Sequence, residues 1–169
     1  MRRNRQLRKG AGYHVSGRIN RGEMIFDVKE TKAMFMNTLR RAKKKFKFKI
    51  TNFCIMNNHV HLMITPGRGA SLSKIMQWVL SVFAMNWNRK FNLKGHVWEG
   101  RFFSRIIESF KDFLNTFGYI DENPVAAKLV KYPHQWQYSG AWYHRHRLRG
   151  IIEKPDEVIA HFFPEHLPG

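Results

Sequence analysis

The predicted fold of this chain depends on the stretch Asn57-Asn58-His59-Val60-His61-Leu62-Met63-Ile64, whose side chains alternate as in a β-strand. Val60, Leu62 and Ile64 would face a core, while the two histidines and Met63 would face the other way. Since residues two apart in a strand point to the same face, both imidazoles should lie side by side. Two neutral imidazoles on a rigid strand make half of a divalent-metal site, but they could equally line the polar side of an edge strand.

The segments around this strand predict a βαββαβ order. The expected elements are a strand over 13–19, a helix begun by a capping box at Asp27 and Glu30, a strand over 46–56, the histidine strand, a helix capped by Ser71 and a strand over 101–108. This order is typical of an α+β fold, a ferredoxin-like antiparallel sheet with both crossover helices on one face. The histidine strand would then be central, which weakens the edge-strand explanation.

An additional helix is predicted to present one tyrosine outward. Ser109 and Asp112 are predicted to form a second capping box, and Tyr119 falls about 180° from Phe110, the first residue of the apolar stripe of this helix. Asn123, four residues on, lies near Tyr119 on the open side. Pro124 disfavours helical geometry at Asn123 and is expected to start a new short helix, so Asn123 could be a cap or a ligand. The stripe comprises Phe110, Phe113, Leu114, Phe117 and Ile120.

Composition sets the class of partner. The chain has 169 residues, with 30 Lys and Arg against 12 Asp and Glu, and its net charge of +18 calls for an anionic partner. Nucleic acid is the first candidate and a membrane surface is the second. No apolar run is long enough to span a membrane, no secretion signal is evident, and the single Cys54 excludes an internal disulfide. A cytoplasmic protein without membrane contact or small-molecule cofactor is expected.

Three regions are predicted, namely a basic arm over 1–10, a main domain over 11–132 and a basic, aromatic extension over 133–169. Cationic side chains contact phosphates, and aromatic side chains stack on unpaired bases. The expected nucleic-acid contacts are Arg2, Arg3, Arg5, Lys43, Lys44, Lys45, Trp98, Arg101, Arg145 and Arg147.

Three motifs then occur in order along the chain: Asn58-His59-Val60-His61-Leu62-Met63-Ile64, Gly95-His96-Val97-Trp98-Glu99-Gly100-Arg101-Phe102 and Tyr119-Ile120-Asp121-Glu122-Asn123-Pro124-Val125. The first resembles the histidine–hydrophobic–histidine motif of single-tyrosine (HUH) nucleases. All three together resemble the IS200-like transposase family, and within it the REP-associated tyrosine transposases, which act on repetitive extragenic palindromes. The ordered set is far more specific than the histidine motif alone.

The resemblance implies that Tyr119 is the nucleophile and that His59 and His61 bind Mg²⁺ or Mn²⁺, with Asn123 as third protein ligand. It implies a metal-dependent endonuclease and strand transferase for single-stranded or hairpin DNA, acting through a 5′-phosphotyrosine as a monomer or homodimer. The alternative is a non-catalytic protein on the same fold that binds single-stranded DNA or RNA hairpins.

Four positions depart from the family pattern without removing the nucleophile or either histidine. Asn57 stands where Pro is common, Glu99 where Gln is common, Ala126 where Arg is common and Lys128 where Gly is common. The change at Ala126 puts a phosphate contact in doubt, and Glu99 could alter base recognition.

Overall fold

A computed structural model describes residues 7–169 and contains a four-stranded antiparallel sheet flanked by helices. The strands are β1 (Tyr13–Arg18), β2 (Phe48–Ile55), β3 (His59–Pro66) and β4 (Phe103–Ile106). The helices are α1 (Lys29–Lys45), α2 (Leu72–Phe91), α3 (Phe110–Ala126), α4 (Gly140–Arg145) and α5 (Glu157–Phe162). The sheet order is β2-β3-β1-β4, so the predicted ferredoxin-like α+β fold is confirmed and the histidine strand is central.

The two faces of the sheet contribute to different cores. Val60, Leu62 and Ile64 of β3 are fully buried with the apolar residues of α1 and α2. Met63, on the opposite face, packs in a smaller core that includes Phe117 of α3. Because side chains alternate along a strand, β3 holds the two crossover helices on one side and the tyrosine-bearing helix on the other.

A bulge in β2 changes the sheet face on which α3 packs. The pairing of β2 with β3 shifts register between Ile50 and Asn52, so one additional residue lies on the β2 side. Asn52 is therefore fully buried toward α3, where its Nδ2 donates to Oδ1 of Asp121 at 2.8 Å and to the Phe117 carbonyl at 3.3 Å. Because of the bulge, the side chain of Asn52 departs from the regular alternation of β2 and makes a polar contact with α3.

Both serine caps are confirmed, but other predicted boundaries are wrong. The hydroxyls of Ser71 and Ser109 accept hydrogen bonds at the starts of α2 and α3, but the box predicted at Ser109 is incomplete, because Asp112 Oδ2 accepts from the Glu108 N–H. The capping box at Asp27 and Glu30 does not form, because Asp27 ends a 3₁₀ helix and α1 begins after Val28 without a side-chain cap. The fourth strand covers only Phe103–Ile106, not the whole of 101–108.

The predicted break at Pro124 is also wrong, because α3 continues through this residue to Ala126. Pro124 is buried and lies close to the end of the helix, where the loss of one backbone N–H costs little. After the helix, Lys128 N–H donates to the Val125 carbonyl and Leu129 N–H to the Pro124 carbonyl, both at 2.9 Å. These two bonds form a Schellman motif that closes the helix end.

Residues 133–169 pack on the sheet and on α3. The indole N–H of Trp136 donates to the Ile55 carbonyl at 2.9 Å, and Ile159 of α5 joins the smaller core. Within the described part of the chain, no helix is long and apolar enough to cross a membrane.

A buried polar network fixes this C-terminal region to α3. His166 Nε2 lies 2.9 Å from Oδ2 of Asp121, and His166 Nδ1 lies 2.6 Å from Nδ1 of His144. His144 Nε2 lies 2.7 Å from the Glu153 carbonyl, to which it must donate. Burial lowers the pKa of His144 to about 4, so this ring is neutral and accepts at Nδ1. His166 Nδ1 then donates to His144, while its Nε2 faces the Asp121 carboxyl group.

Candidate active site

Strand β3 brings His59 and His61 to the sheet face that α3 covers. Their ring centroids are 4.9 Å apart, and they stand opposite Arg18 and Ser16 of β1. His61 is buried, whereas His59 is half-buried. The central position of β3 gives both rings a rigid support, so the predicted side-by-side arrangement is confirmed.

Hydrogen bonds hold each histidine by its Nδ1 atom. His59 Nδ1 lies 2.7 Å from Oδ1 of Asn58, and His61 Nδ1 lies 3.0 Å from Nε2 of His14. Both Nε2 atoms are left for other partners. His59 Nε2 lies 3.5 Å from Oδ1 of Asn123, and His61 Nε2 is a buried nitrogen without a hydrogen-bond partner among residues 7–169. Since the Asn123 side chain also interacts with His61, two imidazole nitrogens and one amide oxygen converge.

Helix α3 supplies the amide and the tyrosine from one side. Asn123 Nδ2 donates to the Tyr119 carbonyl at 2.8 Å, which turns Oδ1 of Asn123 toward His59. The Tyr119 side chain is 56% exposed, and its ring centroid lies 5.5 Å from that of His61 and 5.8 Å from that of His14. Tyr119 is thus open to a substrate while standing beside both rings.

The electrostatics of the site keep the imidazoles neutral. Burial, together with the neighbouring His59 and His14, lowers the pKa of His61 to about 3. Burial, with the Arg105 guanidinium as a second cause, lowers the pKa of His14 to about 4, and burial also lowers the pKa of His59. Neutral imidazole is the form that binds metal ions, so these nitrogens are ready to act as ligands near pH 7.

The donor set fits a hard divalent cation whose coordination is completed by water and phosphate oxygens. In the part of the chain that the structure describes, no group of three or more His, Cys, Asp or Glu side chains could hold a metal ion. The candidate site instead combines two imidazoles with the Asn123 amide. The buried Nε2 of His61 has no hydrogen-bond partner among the described residues, whereas buried polar atoms are normally paired. This is the observation that most directly indicates a cation-binding site.

The site opens into a pocket of about 430 Å³ with a basic rim. Arg18 and Arg101 line it together with Glu99, Phe103 and Tyr119. Arg18 Nε lies 4.0 Å from Oε2 of Glu99, and both side chains are largely exposed, so this ion pair can open toward a substrate. The predicted contact residue Arg101 therefore lies at the pocket.

Trp98, another predicted contact residue, packs against the main core, and this packing disfavours stacking on a base. Its Nε1–H donates to the Leu80 carbonyl at 2.9 Å, and its ring packs against Phe26, Phe35 and Phe83 of the main core. The tryptophan of the second motif therefore holds the 95–102 segment on α2.

Among residues 7–169, the other predicted contacts lie away from the pocket. Lys43 forms an ion pair with Glu153, while Lys44 and Lys45 are exposed in the last turn of α1. Arg145 ends α4, and Arg147 follows it at the surface. Outside the described residues lie Arg2, Arg3 and Arg5.

Sequence reasoning missed two residues of the site, His14 and Asn58. The alternation of β1 contained a signal for His14, since Tyr13 and Val15 face the core and leave His14 on the opposite face. The register that sets His14 diagonally across from His61 depends on the pairing of β1 with β3. The side chain of Asn58, the first residue of the first motif, fixes His59.

Comparison with known families gives a direct match. Residues 9–123 match the family described as Transposase IS200 like. This chain belongs to the IS200-like transposase family. The matched segment contains both histidines, Tyr119 and Asn123.

Individual relatives agree with the family match. A Haemophilus influenzae protein that carries the name REP-associated tyrosine transposase is 26% identical over 149 residues, covering 80% of this chain and 77% of that protein. A solved REP-associated tyrosine transposase bound to a REP hairpin has a TM-score of 0.73 at 23% identity, with 90% of this chain and 88% of that chain covered. A Deinococcus radiodurans protein named as a transposase has a TM-score of 0.50 at 16% identity, covering 72% and 97%. The predicted resemblance to REP-associated tyrosine transposases is confirmed.

Proposed function

We propose that this IS200-like transposase is a metal-dependent single-stranded DNA endonuclease and strand transferase that acts through a covalent 5′-phosphotyrosine at Tyr119. One observation carries the proposal: the exposed Tyr119 stands beside His61, where the Nε2 atoms of His59 and His61 and the Asn123 amide oxygen converge. A nucleophile next to a ligand cluster in an open, basic pocket suits phosphoryl transfer.

The proposed reaction is a transesterification. The Tyr119 oxygen attacks the phosphorus of a phosphodiester, the bond from phosphorus to the 3′-oxygen breaks, and the proton lost by the tyrosine is balanced by the one gained by the leaving 3′-hydroxyl. The DNA 5′ end remains as a phosphotyrosine. Attack by a different 3′-hydroxyl reverses the step and joins the strand without ATP, because the ester preserves the bond energy.

His59, His61 and Asn123 would hold Mg²⁺ or Mn²⁺, whose role is to polarise a non-bridging oxygen and stabilise the leaving 3′-oxygen. The protein contributes orientation to this chemistry. The Asn58 contact fixes the His59 ring, and the Tyr119 carbonyl fixes the Asn123 amide. Two imidazoles bind a hard cation weakly on their own, so metal affinity should rise when a substrate phosphate adds oxygen ligands.

The proposed substrate is hairpin or palindromic DNA with an unpaired segment. The solved relative is bound to a REP hairpin, and the net charge of +18 favours a polyanion. In the pocket, Arg18 and Arg101 can contact phosphates, and the 59%-exposed Phe103 offers a face for an unpaired base.

The test is incubation with labelled hairpin oligonucleotides that carry single-stranded flanks and the repetitive extragenic palindromes of the source genome, with Mn²⁺ or Mg²⁺. A protein–DNA adduct that survives denaturant supports the proposal. Tight binding without any adduct or cleavage under all metal conditions favours the non-catalytic alternative. The His61→Ala variant should lose cleavage while keeping most DNA affinity, because phosphate charge supplies that affinity.

A further inference from the structure

His14 is a third histidine of the site, beside the two of the histidine motif. It lies on β1, opposite Met63 and therefore diagonal to His61 on the same sheet face. His14 is 9% exposed and His61 is 5% exposed, and their rings are stacked with centroids 5.1 Å apart. Because β1 and β3 are the two central strands, the relative position of these rings is fixed by the sheet.

The His14–His61 contact contains a single shared proton. The His14 Nε2 and His61 Nδ1 atoms are 3.0 Å apart, so one of them carries hydrogen and the other accepts. If His61 donates from Nδ1, its Nε2 presents a lone pair to the pocket. If His14 donates instead, His61 carries its hydrogen on Nε2 and cannot bind a cation there.

We propose that His14 is a positioning residue for the metal site, accepting a hydrogen bond from His61 Nδ1–H and so holding the His61 Nε2 lone pair toward Asn123 and the pocket. This inference rests on the proposed function, in which the His61 Nε2 lone pair binds the cation. The rings of His14 and Tyr119 also form a T-shaped pair with centroids 5.8 Å apart, so His14 helps to set the spacing between His61 and the nucleophile.

The surroundings of His14 suit a neutral hydrogen-bond acceptor. His14 is buried and stands opposite Arg105 of β4, and a second positive charge beside this guanidinium is unfavourable, so the ring keeps one lone pair. Arg105 itself is held by Asp112 at 2.7 Å and Thr116 at 2.8 Å, which ties this cation to α3. Outer partners of this kind set the tautomer and ring orientation of metal-binding histidines.

Two variants of similar size separate the hydrogen bond from packing. His14→Gln keeps an oxygen that can accept from His61 Nδ1–H, whereas His14→Leu keeps volume without an acceptor. His161→Leu changes an exposed histidine on α5 and serves as the matched control. Thermal unfolding of all four proteins establishes that each is folded.

The first readout is the tautomer of His61 in the metal-free protein, from ¹⁵N NMR of the imidazoles assigned by comparison with His61→Ala. The wild type and His14→Gln should show hydrogen on Nδ1, and His14→Leu should shift toward hydrogen on Nε2. The second readout is Mn²⁺ affinity by electron paramagnetic resonance. His14→Leu should bind Mn²⁺ about 10- to 100-fold more weakly, with recovery in His14→Gln.

The inference is overturned if His14→Leu keeps both the wild-type tautomer and the wild-type affinity, or if folded His14→Gln loses them. If His14→Leu does not fold, the tautomer of His61 in His14→Gln decides: hydrogen on Nδ1 supports the inference, and hydrogen on Nε2 overturns it. Failure of the proposed function gives a different pattern: wild type and His61→Ala would bind Mn²⁺ equally poorly, while the tautomer measurement would still report whether His14 orients His61.

Discussion

His59 Nε2 lies 3.5 Å from Oδ1 of Asn123, although the two residues are 64 positions apart in sequence. His59 Nδ1 faces an acceptor, the Asn58 side-chain oxygen, so Nδ1 carries the hydrogen and Nε2 presents a lone pair. Asn123 donates from its nitrogen to the Tyr119 carbonyl, so its oxygen also presents lone pairs. Two acceptors thus face each other across the gap between β3 and α3, an arrangement that a cation would stabilise.

Replacement of Asn123 by Ala should weaken Mn²⁺-dependent cleavage by at least about tenfold, because one oxygen ligand is lost. The loss should be smaller than for His61→Ala, since water can replace an oxygen ligand. Asn123→Asp is the matched control, because it keeps an oxygen at the same place and should need less Mn²⁺ than the Ala variant. Cleavage measured against Mn²⁺ concentration gives the comparison; equal Mn²⁺ requirement in wild type and Asn123→Ala would remove Asn123 from the site.

Stability should fall as pH falls from about 6.5 to about 4. His14 and His144 have folded pKa values of about 4, below the ordinary 6.5, so between these values the unfolded chain binds more protons. Each such histidine contributes a slope of up to about 1.4 kcal/mol per pH unit, with stability greatest above pH 6.5. Urea unfolding of the metal-free protein at a series of pH values measures this slope. His14→Gln should reduce it, and equal stability at pH 7 and pH 5 would contradict the assignment of buried neutral histidines.

Loss of His166 should destabilise the protein strongly. His166→Leu removes the buried partner of the Asp121 carboxyl group, and a buried polar group left without its partner costs about 1–3 kcal/mol. The double variant Asp121→Leu with His166→Leu should recover part of this loss, because no unpaired polar group remains. Chemical denaturation of the single and double variants tests the pair. A loss below about 0.5 kcal/mol, typical of a surface substitution, would contradict the buried contact.

The backbone at Lys128 provides a stabilising substitution. This residue has φ of +58° at the position where the family commonly has Gly, in the Schellman motif that ends α3. Lys128→Gly should raise the free energy of unfolding by about 1 kcal/mol, because Gly adopts the left-handed region without steric cost. Ala33→Gly, at an exposed position in the interior of α1, should lower it by about the same amount. Denaturation curves that shift in the same direction for both variants would exclude this explanation.

The local sequence pattern was sufficient to predict those helices and strands whose apolar residues alternate or repeat. The period of two in β3 placed His59 and His61 on one face, and Ser71 and Ser109 marked two helix starts, because these signals depend only on neighbouring residues. The capping box at Asp27 failed because a tertiary contact intervened. The buried Phe26 donates its N–H to the Asn57 carbonyl, which commits this segment to a 3₁₀ helix before α1.

The site itself depended on contacts between distant parts of the chain. The family motifs predicted Tyr119 and Asn123, but the role of His14 required the register between β1 and β3. The continuation of α3 past Pro124 required the closing bonds at Lys128 and Leu129, which local propensity does not include. The sequence around Trp98 does not distinguish DNA contact from packing, because an aromatic residue beside basic residues has the same pattern whether it stacks on bases or fills a core.

The most direct test of the central claim is covalent capture by Tyr119. Wild type, Tyr119→Phe and the control Tyr132→Phe, which changes another exposed tyrosine, would be incubated with labelled hairpin DNA and Mn²⁺, denatured and separated by gel electrophoresis. Wild type and Tyr132→Phe should retain label on the protein, while Tyr119→Phe should bind the DNA with nearly unchanged affinity and form no adduct, because only the nucleophilic hydroxyl is lost. An adduct of normal yield with Tyr119→Phe would show that Tyr119 is not the nucleophile.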